Sequence, residues 1–319
     1  METTPHPPTQ SAPAAPATPA RRSRVTVPAF GRRKQAGRKL SVLTAYDYTT
    51  ARLLDEAGVD CLLVGDSLAM TVLGHPDTLS VTMEEMLHHV RAVRRGVDKN
   101  ASAPESSGGQ ALIVADMPFL SYQVSHEEAV RNAGRMIQEG GAHAVKLEGA
   151  GERVLAVVRH LSEIGIPVMG HLGFTPQSVH ALGGARVQGR ALADAKTLLS
   201  DAQALQQAGA FALVLEMVPT EAATMISRQL RIPTIGIGAG SGCDGQVLVI
   251  DDVLGRYADL TPRFVRRYAD VGEATRRAVR QYCLDVQAGV FPDNATEAFA
   301  FEPDDLPALH LALTEEPTR

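Results

Sequence analysis

One pattern recurs along this chain and constrains its fold more than any other. An amphipathic helical stretch is followed by a glycine where a helix would end, then by a short apolar run, then by a polar residue. The copies are LLDEAGVDCLLVGDS, reaching Asp66, MIQEGGAHAVKLEG, reaching Glu148, HLSEIGIPVMGH, reaching His171, and ALQQAGAFALVLEM, reaching Glu216. SVLTAYD before Asp47, ALIVAD before Asp116, IPTIGIG before Gly238 and QVLVID before Asp251 fit the same plan. Eight apolar runs separated by helical segments predict a parallel sheet, because parallel strands need crossovers and strands covered on both faces read as continuous apolar runs. With eight units in about 230 residues and no dinucleotide glycine fingerprint, a closed (β/α)₈ barrel (TIM barrel) fits better than an open doubly wound sheet. The aromatic content of 4% without Trp makes the core aliphatic, which speaks against a β-sandwich.

The barrel is expected over residues 27–293, behind a Pro- and Ala-rich disordered tail at 1–26 and ahead of a C-terminal extension at 294–319. Arg21, Arg22, Arg24, Arg32, Arg33 and Lys34 make the first end basic, but it lacks the apolar face of a transit peptide. The polar stretch DKNASAPESSGGQ at 98–110 reads as a surface insertion ahead of the third strand that tolerates deletion. A formal net charge of −5 supplies no basic field for a polyanion, so nucleic acid is not expected as a partner. No apolar run approaches the ~20 residues of a bilayer span, and none is expected. Cys61, Cys243 and Cys283 form neither a disulfide framework nor a zinc spacing, which fits a reducing cytoplasm.

In such a barrel the side chains at the C-terminal strand ends converge on one mouth. Here those positions are acidic: Asp66, Asp116, Glu148 and Glu216. Crowding like charges costs on the order of several kcal/mol unless a cation or proton compensates, and carboxylates without clustered Cys or His suit Mg²⁺ rather than Zn²⁺. Each acid alone could equally cap a helix. Lys146 stands two residues before Glu148, so both face one side of a strand. It can hold an anion beside a metal or form a buried ion pair with Glu148. Ser67 can bind a carboxylate or cap its turn, and His171 can line the site or be a satisfied core residue. The glycine run Gly236 to Gly242 lacks both the G-x-G-x-x-G spacing and a phosphate-loop lysine; it can present N–H groups to an anion or permit close backbone approach.

The blocks LTAYDY, VGDSLAMTVLGH, ADMPF, VKLEG, GHLGFTPQSV, GGARVQGR, VLEMVP and IGIGAG stand in this order from Val27 to Pro292, and together they resemble the ketopantoate hydroxymethyltransferase family. The resemblance implies a barrel of the phosphoenolpyruvate mutase/isocitrate lyase type. It also implies Mg²⁺ and 5,10-methylenetetrahydrofolate acting on 3-methyl-2-oxobutanoate to give 2-dehydropantoate, in pantothenate and coenzyme A synthesis. By position, Asp66 and Asp116 match the family's direct metal ligands and Glu148 its remaining metal-site acid. Lys146 and Ser67 match positions that bind the oxo acid, with Asp66 and Asp116 beside it, and Glu216 matches the general base. His171 matches a site-lining residue without an assigned role. Ala69 where the family commonly has Gly, SGCDGQ before the last strand, the 98–110 stretch and both ends depart from the pattern without removing a matched chemical group.

The implied chemistry is an aldol-type addition: a bound metal draws electrons from the keto acid, Glu216 removes the C3 proton, and the resulting enolate attacks the one-carbon unit. A carboxylate base of this kind is expected in a drier part of the mouth, where desolvation raises its pKa. The resemblance further implies a large homo-oligomer, a decamer of two rings. The competing reading is a Mg²⁺-dependent carbon–carbon lyase of the same superfamily, which commonly carries a reactive Cys in a mobile loop; none falls near His75 to Asp77 or Phe119 to Val124.

Overall fold

The computed structural model describes residues 23–101, 111–257 and 262–314. Eight strands, β1 (Leu40–Thr44), β2 (Cys61–Val64), β3 (Leu112–Asp116), β4 (Ala144–Glu148), β5 (Val168–Gly173), β6 (Ala212–Glu216), β7 (Thr234–Ile237) and β8 (Gly245–Leu248), pair in parallel and in chain order. The pairing of Leu40 to Leu43 with Gly245 to Leu248 closes β1 on β8 into a barrel. These strands are the eight apolar runs of the sequence, so the (β/α)₈ expectation holds.

Helices Tyr48–Ala57, Met83–Ala101, His126–Gln138, Glu152–Glu163, Leu192–Gln207 and Thr220–Gln229 lie in the links from β1 through to β7. Their ends follow local chemistry. Asp47 accepts from the Thr50 backbone N–H to start the first of them, and Gly58, at φ 92°, ends it.

Two expectations need correction. Residues 98–101 continue the helix Met83–Ala101 instead of opening a loop, since neither glycine nor proline interrupts them; the rest of the expected insertion, 102–110, lies outside the described residues. Between β7 and β8 there is no helix. Residues 238–244 return directly from the top of one strand to the bottom of the next, against the helix Thr220–Gln229. Contact is so close that a Cβ on Gly242 would lie 2.0 Å from Thr224 Oγ1, and one on Gly240 2.5 Å from Thr220 Oγ1. At these two positions the glycine run serves close backbone approach.

Apart from Ser41 in β1 and Gln246 in β8, which are exposed, the strands are covered on both faces, and alternation sorts their side chains into two cores. One lies between sheet and helices and includes Leu62, Ile113, Val145 and Leu213. The other fills the barrel with Val42, Leu63, Val114, Met169, Val214 and Ile235. A basic helix that the sequence pattern did not reveal, Val27–Gln35, closes the lower end. Its Phe30 is wholly buried in the interior core and meets Phe211 edge-on at 5.8 Å. Lys34 Nζ anchors this plug on Ser227 O (2.6 Å), Ile232 O (3.0 Å) and Asp244 Oδ2 (2.8 Å).

After β8 comes a short helix Ile250–Val253, then Val271–Gln287, whose residues are all at least partly exposed. The expected tail lies outside the described residues up to position 22, and beyond 294 the described part of the extension includes the exposed helix Leu306–Thr314. Among the described residues, no helix is long and apolar enough to cross a membrane.

Candidate active site

The period of two that packs the interior also builds the site. Along β3 the inward positions read Leu112, Val114, Asp116; along β4, Ala144, Lys146, Glu148; along β5, Met169, His171; along β6, Ala212, Val214, Glu216. Each column is apolar below and polar at the C-terminal mouth. Register sets the neighbours, pairing Asp116 with Lys146, Glu148 with His171 and Gly173 with Glu216. The polar ends open into a cavity of about 940 Å³ that Asp66, Ser67, Asp116, Lys146, Glu148, His171 and Glu216 all line. All seven residues singled out in the sequence therefore share one cavity.

Asp47 is the strand-end acid that caps a helix. None of Asp66, Asp116, Glu148 and Glu216 does so. Ser67 occupies an N-cap position, yet its hydroxyl makes no capping bond and lies 2.9 Å from the Tyr46 hydroxyl. Lys146 Nζ forms its ion pair with Asp116 Oδ1, at 3.2 Å, and not with Glu148, its neighbour on the same strand face. His171 does not end its strand, which runs on to Gly173, and it bridges three groups. Its Nδ1 stands 3.2 Å from Lys146 Nζ and 3.4 Å from Glu148 Oε1, and its Nε2 stands 3.2 Å from Glu216 Oε2.

Glu216 owes its place to its neighbours on both sides. Gly173, at φ 92°, accepts the close approach of β6: a Cβ there would lie 2.1 Å from Glu216 O, and Phe174 N–H donates to that same oxygen at 2.8 Å. Met217, at φ 48°, takes a backbone form rare for side chains of its size, the kind of local strain found at functional turns.

Electrostatics follow from burial. Desolvation, then Asp116 and Glu148, hold the Asp66 carboxyl well above the usual carboxylate range. Desolvation also raises Asp116, against the opposing pull of Lys146. For Glu148 desolvation is outweighed by His171 and Lys146, and its pKa falls. Burial works against the Lys146 ammonium, but the three carboxylates more than offset it and raise its pKa. Burial and Lys146 push the His171 imidazole down, while Glu148 and Glu216 outweigh them and bring it to about 9.

Gln177, on the turn Pro176–Ser178, is a residue that sequence reasoning missed. Its Nε2 donates to Asp66 Oδ2 and to Met117 O, both at 2.9 Å, and its backbone N–H donates to Glu148 Oε2 at 3.0 Å. Its Oε1 accepts from the Tyr122 hydroxyl at 2.8 Å. Gln177 thus ties two site acids together and fixes one oxygen of each. The Asp66 backbone N–H fixes Asp116 Oδ2 in the same way at 3.0 Å. The only sequence signal was its place in GFTPQSV; no periodicity marks it.

Among the described residues, no group of three His, Cys, Asp or Glu side chains is already arranged to cage a metal. What the site offers is subtler. Asp116 Oδ1 and Glu148 Oε1 are buried without a hydrogen bond and face only ion-pair neighbours, Lys146 Nζ at 3.2 Å and His171 Nδ1 at 3.4 Å, while the second oxygen of each is held in place. Oriented carboxylates of this kind suit a hard divalent cation, which is commonly held through one or two carboxylates and keeps several waters.

A closed parallel barrel whose C-terminal mouth gathers carboxylates into one cavity defines the class, a (β/α)₈ barrel with the layout of an enzyme. The fold is similar to that of solved 2,3-dimethylmalate lyase, itself a member of the phosphoenolpyruvate mutase/isocitrate lyase superfamily, with a TM-score of 0.52 and 17% identity over 90% of this chain and 96% of that one. The ketopantoate hydroxymethyltransferase family model matches residues 24–294, and the chain belongs to that family. It is 52% identical to the 3-methyl-2-oxobutanoate hydroxymethyltransferase of Acetivibrio thermocellus over 88% of this chain and 94% of that protein. It is 55% identical to the enzyme of the same name from Syntrophus aciditrophicus, over 82% and 91%.

Proposed function

We propose that this chain is a 3-methyl-2-oxobutanoate hydroxymethyltransferase that takes its one-carbon unit from 5,10-methylenetetrahydrofolate and uses Mg²⁺. The observation that carries the reading is the line of contacts Glu216, His171, Glu148 in a cavity that also holds Asp66, Asp116 and Lys146, within a family whose curated members carry that name. Asp66 and Asp116 would hold the cation, with Glu148 completing its surroundings. When bound, the cation supplies Lewis-acid polarisation of the keto acid.

The chain's own residues do the rest. Lys146, buried and charged, attracts the substrate carboxylate, and the Ser67 hydroxyl is placed to bond it. Glu216, with 16% of its side chain exposed, would take the C3 proton, with His171 Nε2 3.2 Å from its Oε2. None of the three cysteines lines the cavity, and Cys61 and Cys243 are buried, which removes the thiol a carbon–carbon lyase of this superfamily commonly uses.

A homo-oligomer, a decamer by family resemblance, is supported by the helix Val271–Gln287, whose stripe Val279, Tyr282 and Val286 stays about half exposed even with the Tyr282 ring against Phe291. Three free thiols are in keeping with a cytoplasmic protein.

The test is an assay of purified protein with 3-methyl-2-oxobutanoate, methylenetetrahydrofolate and Mg²⁺, run beside proton NMR of the oxo acid in D₂O without folate. Mg²⁺-dependent loss of the C3 proton signal and formation of 2-dehydropantoate are expected. Absence of both refutes the reading.

A further inference from the structure

The Ser67 side chain lines the cavity and is partly exposed, but the group that meets its hydroxyl stands behind the wall. Tyr46, 3% exposed, is not among the lining residues; its ring packs in the core between sheet and helices, and its hydroxyl lies 2.9 Å from Ser67 Oγ. A packed ring fixes where a phenol oxygen sits, whereas a serine hydroxyl proton rotates to suit its surroundings. His89 Nδ1, 2.6 Å from Tyr46 O, holds the backbone at the same point.

We propose that Tyr46 is a positioning residue for the oxo acid: its hydroxyl donates to Ser67 Oγ and so turns the single Ser67 proton into the cavity, toward the substrate carboxylate. The inference rests on the function proposed above and adds a residue that acts through Ser67 without touching the substrate.

A count of donors and acceptors carries it. A hydroxyl has one proton to give and two lone pairs to fill. If Ser67 gave its proton to Tyr46, only lone pairs would face the cavity, and an incoming carboxylate would be repelled. The neighbours select the opposite direction. The Thr44 and Thr71 hydroxyls flank that of Tyr46. Thr44 Oγ1 already accepts from Ile250 N–H at 3.0 Å, so its proton is left for the tyrosine oxygen. Thr71 Oγ1 donates to Ser67 O at 3.3 Å and has no second proton for Tyr46. Tyr46 therefore accepts from Thr44 and keeps its own proton for Ser67. Burial pushes the Tyr46 hydroxyl above its usual pKa, so it remains a donor.

Gly65 leaves room for the arrangement. A Cβ there would lie 2.9 Å from Ser67 Oγ, and would force that hydroxyl aside. The serine is thus directed by one neighbour that donates to it and by another that has no side chain.

The experiment compares wild type, Tyr46→Phe, Ser67→Ala and the double variant, all with Mg²⁺. It reads oxo-acid affinity by calorimetry and C3 exchange in D₂O by NMR. Tyr46→Phe keeps the ring and removes only the donor. It is expected to weaken the oxo acid and raise its KM for exchange by about 10-fold, while the exchange rate at saturation and the Mg²⁺ affinity stay within about three-fold of wild type. Ser67→Ala should do at least as much. Adding Tyr46→Phe to it should change oxo-acid affinity no further, since no hydroxyl is left to direct. A tyrosine that served stability alone would lower the denaturation midpoint without this split between KM and rate and without the coupling to Ser67. Gly65→Ala crowds the same hydroxyl, and Tyr46 is not among the three atoms nearest its new methyl group. It too should weaken the oxo acid, and it carries the test if Tyr46→Phe does not fold.

Unchanged oxo-acid affinity in Tyr46→Phe or in Gly65→Ala would overturn the positioning role. So would a loss on adding Tyr46→Phe to Ser67→Ala that equals its loss in wild type. Wild type that neither binds nor exchanges the oxo acid refutes the underlying function instead.

Discussion

Gln177 and Asp66, 111 positions apart in the chain, meet through a hydrogen bond of 2.9 Å from Nε2 to Oδ2 inside the barrel mouth. Because the same glutamine also holds Glu148 through its backbone, one short turn orients two of the three acids around the proposed cation site.

Truncating this hub should loosen that site without removing any ligand. Gln177→Ala is expected to weaken Mg²⁺ binding by ~10- to 100-fold, the usual cost of losing an outer partner of a metal ligand. Gln177→Glu should do at least as much harm, since it sets an acceptor against Asp66. Titration calorimetry with Mg²⁺ alone decides the matter; affinity equal to wild type would show that Gln177 orients nothing.

Glu216→Gln keeps shape but cannot accept a proton. The variant should still bind Mg²⁺ and the oxo acid, while C3 exchange in D₂O slows by ~10² to 10⁴. NMR of the substrate without folate isolates this step. Exchange at the wild-type rate would exclude Glu216 as the base and make His171, 3.2 Å away, the next residue to test.

Stability should depend on pH through His143, which is remote from this chemistry. Its Nδ1 accepts from Ile113 N–H at 2.9 Å, and the Arg94 and Arg24 guanidinium groups lie 2.7 and 2.9 Å from its Nε2. Burial first, then Arg94 and Arg24, lower its pKa from 6.5 to about 4. Between these values the unfolded chain binds a proton that the native state refuses. The native state is therefore fully favoured above pH ~6.5 and loses up to about 3 kcal/mol as the pH falls to ~4. Urea denaturation at pH 7 and pH 4.5 should show a smaller decline for His143→Gln than for wild type; identical declines would contradict the assignment.

The direct return from β7 to β8 makes its own prediction. Gly242→Ala forces a methyl group to within 2.0 Å of Thr224 Oγ1 and 2.8 Å of its Cβ. It should destabilise the protein by roughly 1–3 kcal/mol, as overpacking does. Adding Thr224→Ala removes the hydroxyl but not the Cβ, so only part of the loss should return in a double-mutant cycle of denaturation midpoints. Purely additive effects would mean that the return segment relieves the contact elsewhere.

What could be read from the sequence divides along physical lines. The eight strands were legible because covering both faces leaves uninterrupted apolar runs, and the acids were legible because they close those runs. The plug helix was not, for VPAFGRRKQ is short and basic and reveals its purpose only when Phe30 meets the barrel interior. Nor was the missing β7–β8 helix, since glycines that permit close approach read the same as glycines that bind an anion. Gln177 gave no pattern because its partners lie far away in the chain and its own turn has no period. The polar run at 98–101 looked like a loop by composition, yet the helix before it continues to Ala101.

The plug also bears on how the chain is made. Lys34 belongs to the first of the described helices to emerge during synthesis, but its three oxygen partners lie 193 to 210 residues downstream. At about 5–20 residues per second, that helix must wait on the order of ten seconds or more before Asp244 exists. Until then the seam between β1 and β8 is open, and both flanking strand edges are available to wrong partners. Barrel closure and plug anchoring are thus late events that share one stretch of chain around residues 244–248. A lesion there would strand a nearly complete barrel with its plug helix unattached, at the stage when a nascent protein most depends on chaperones.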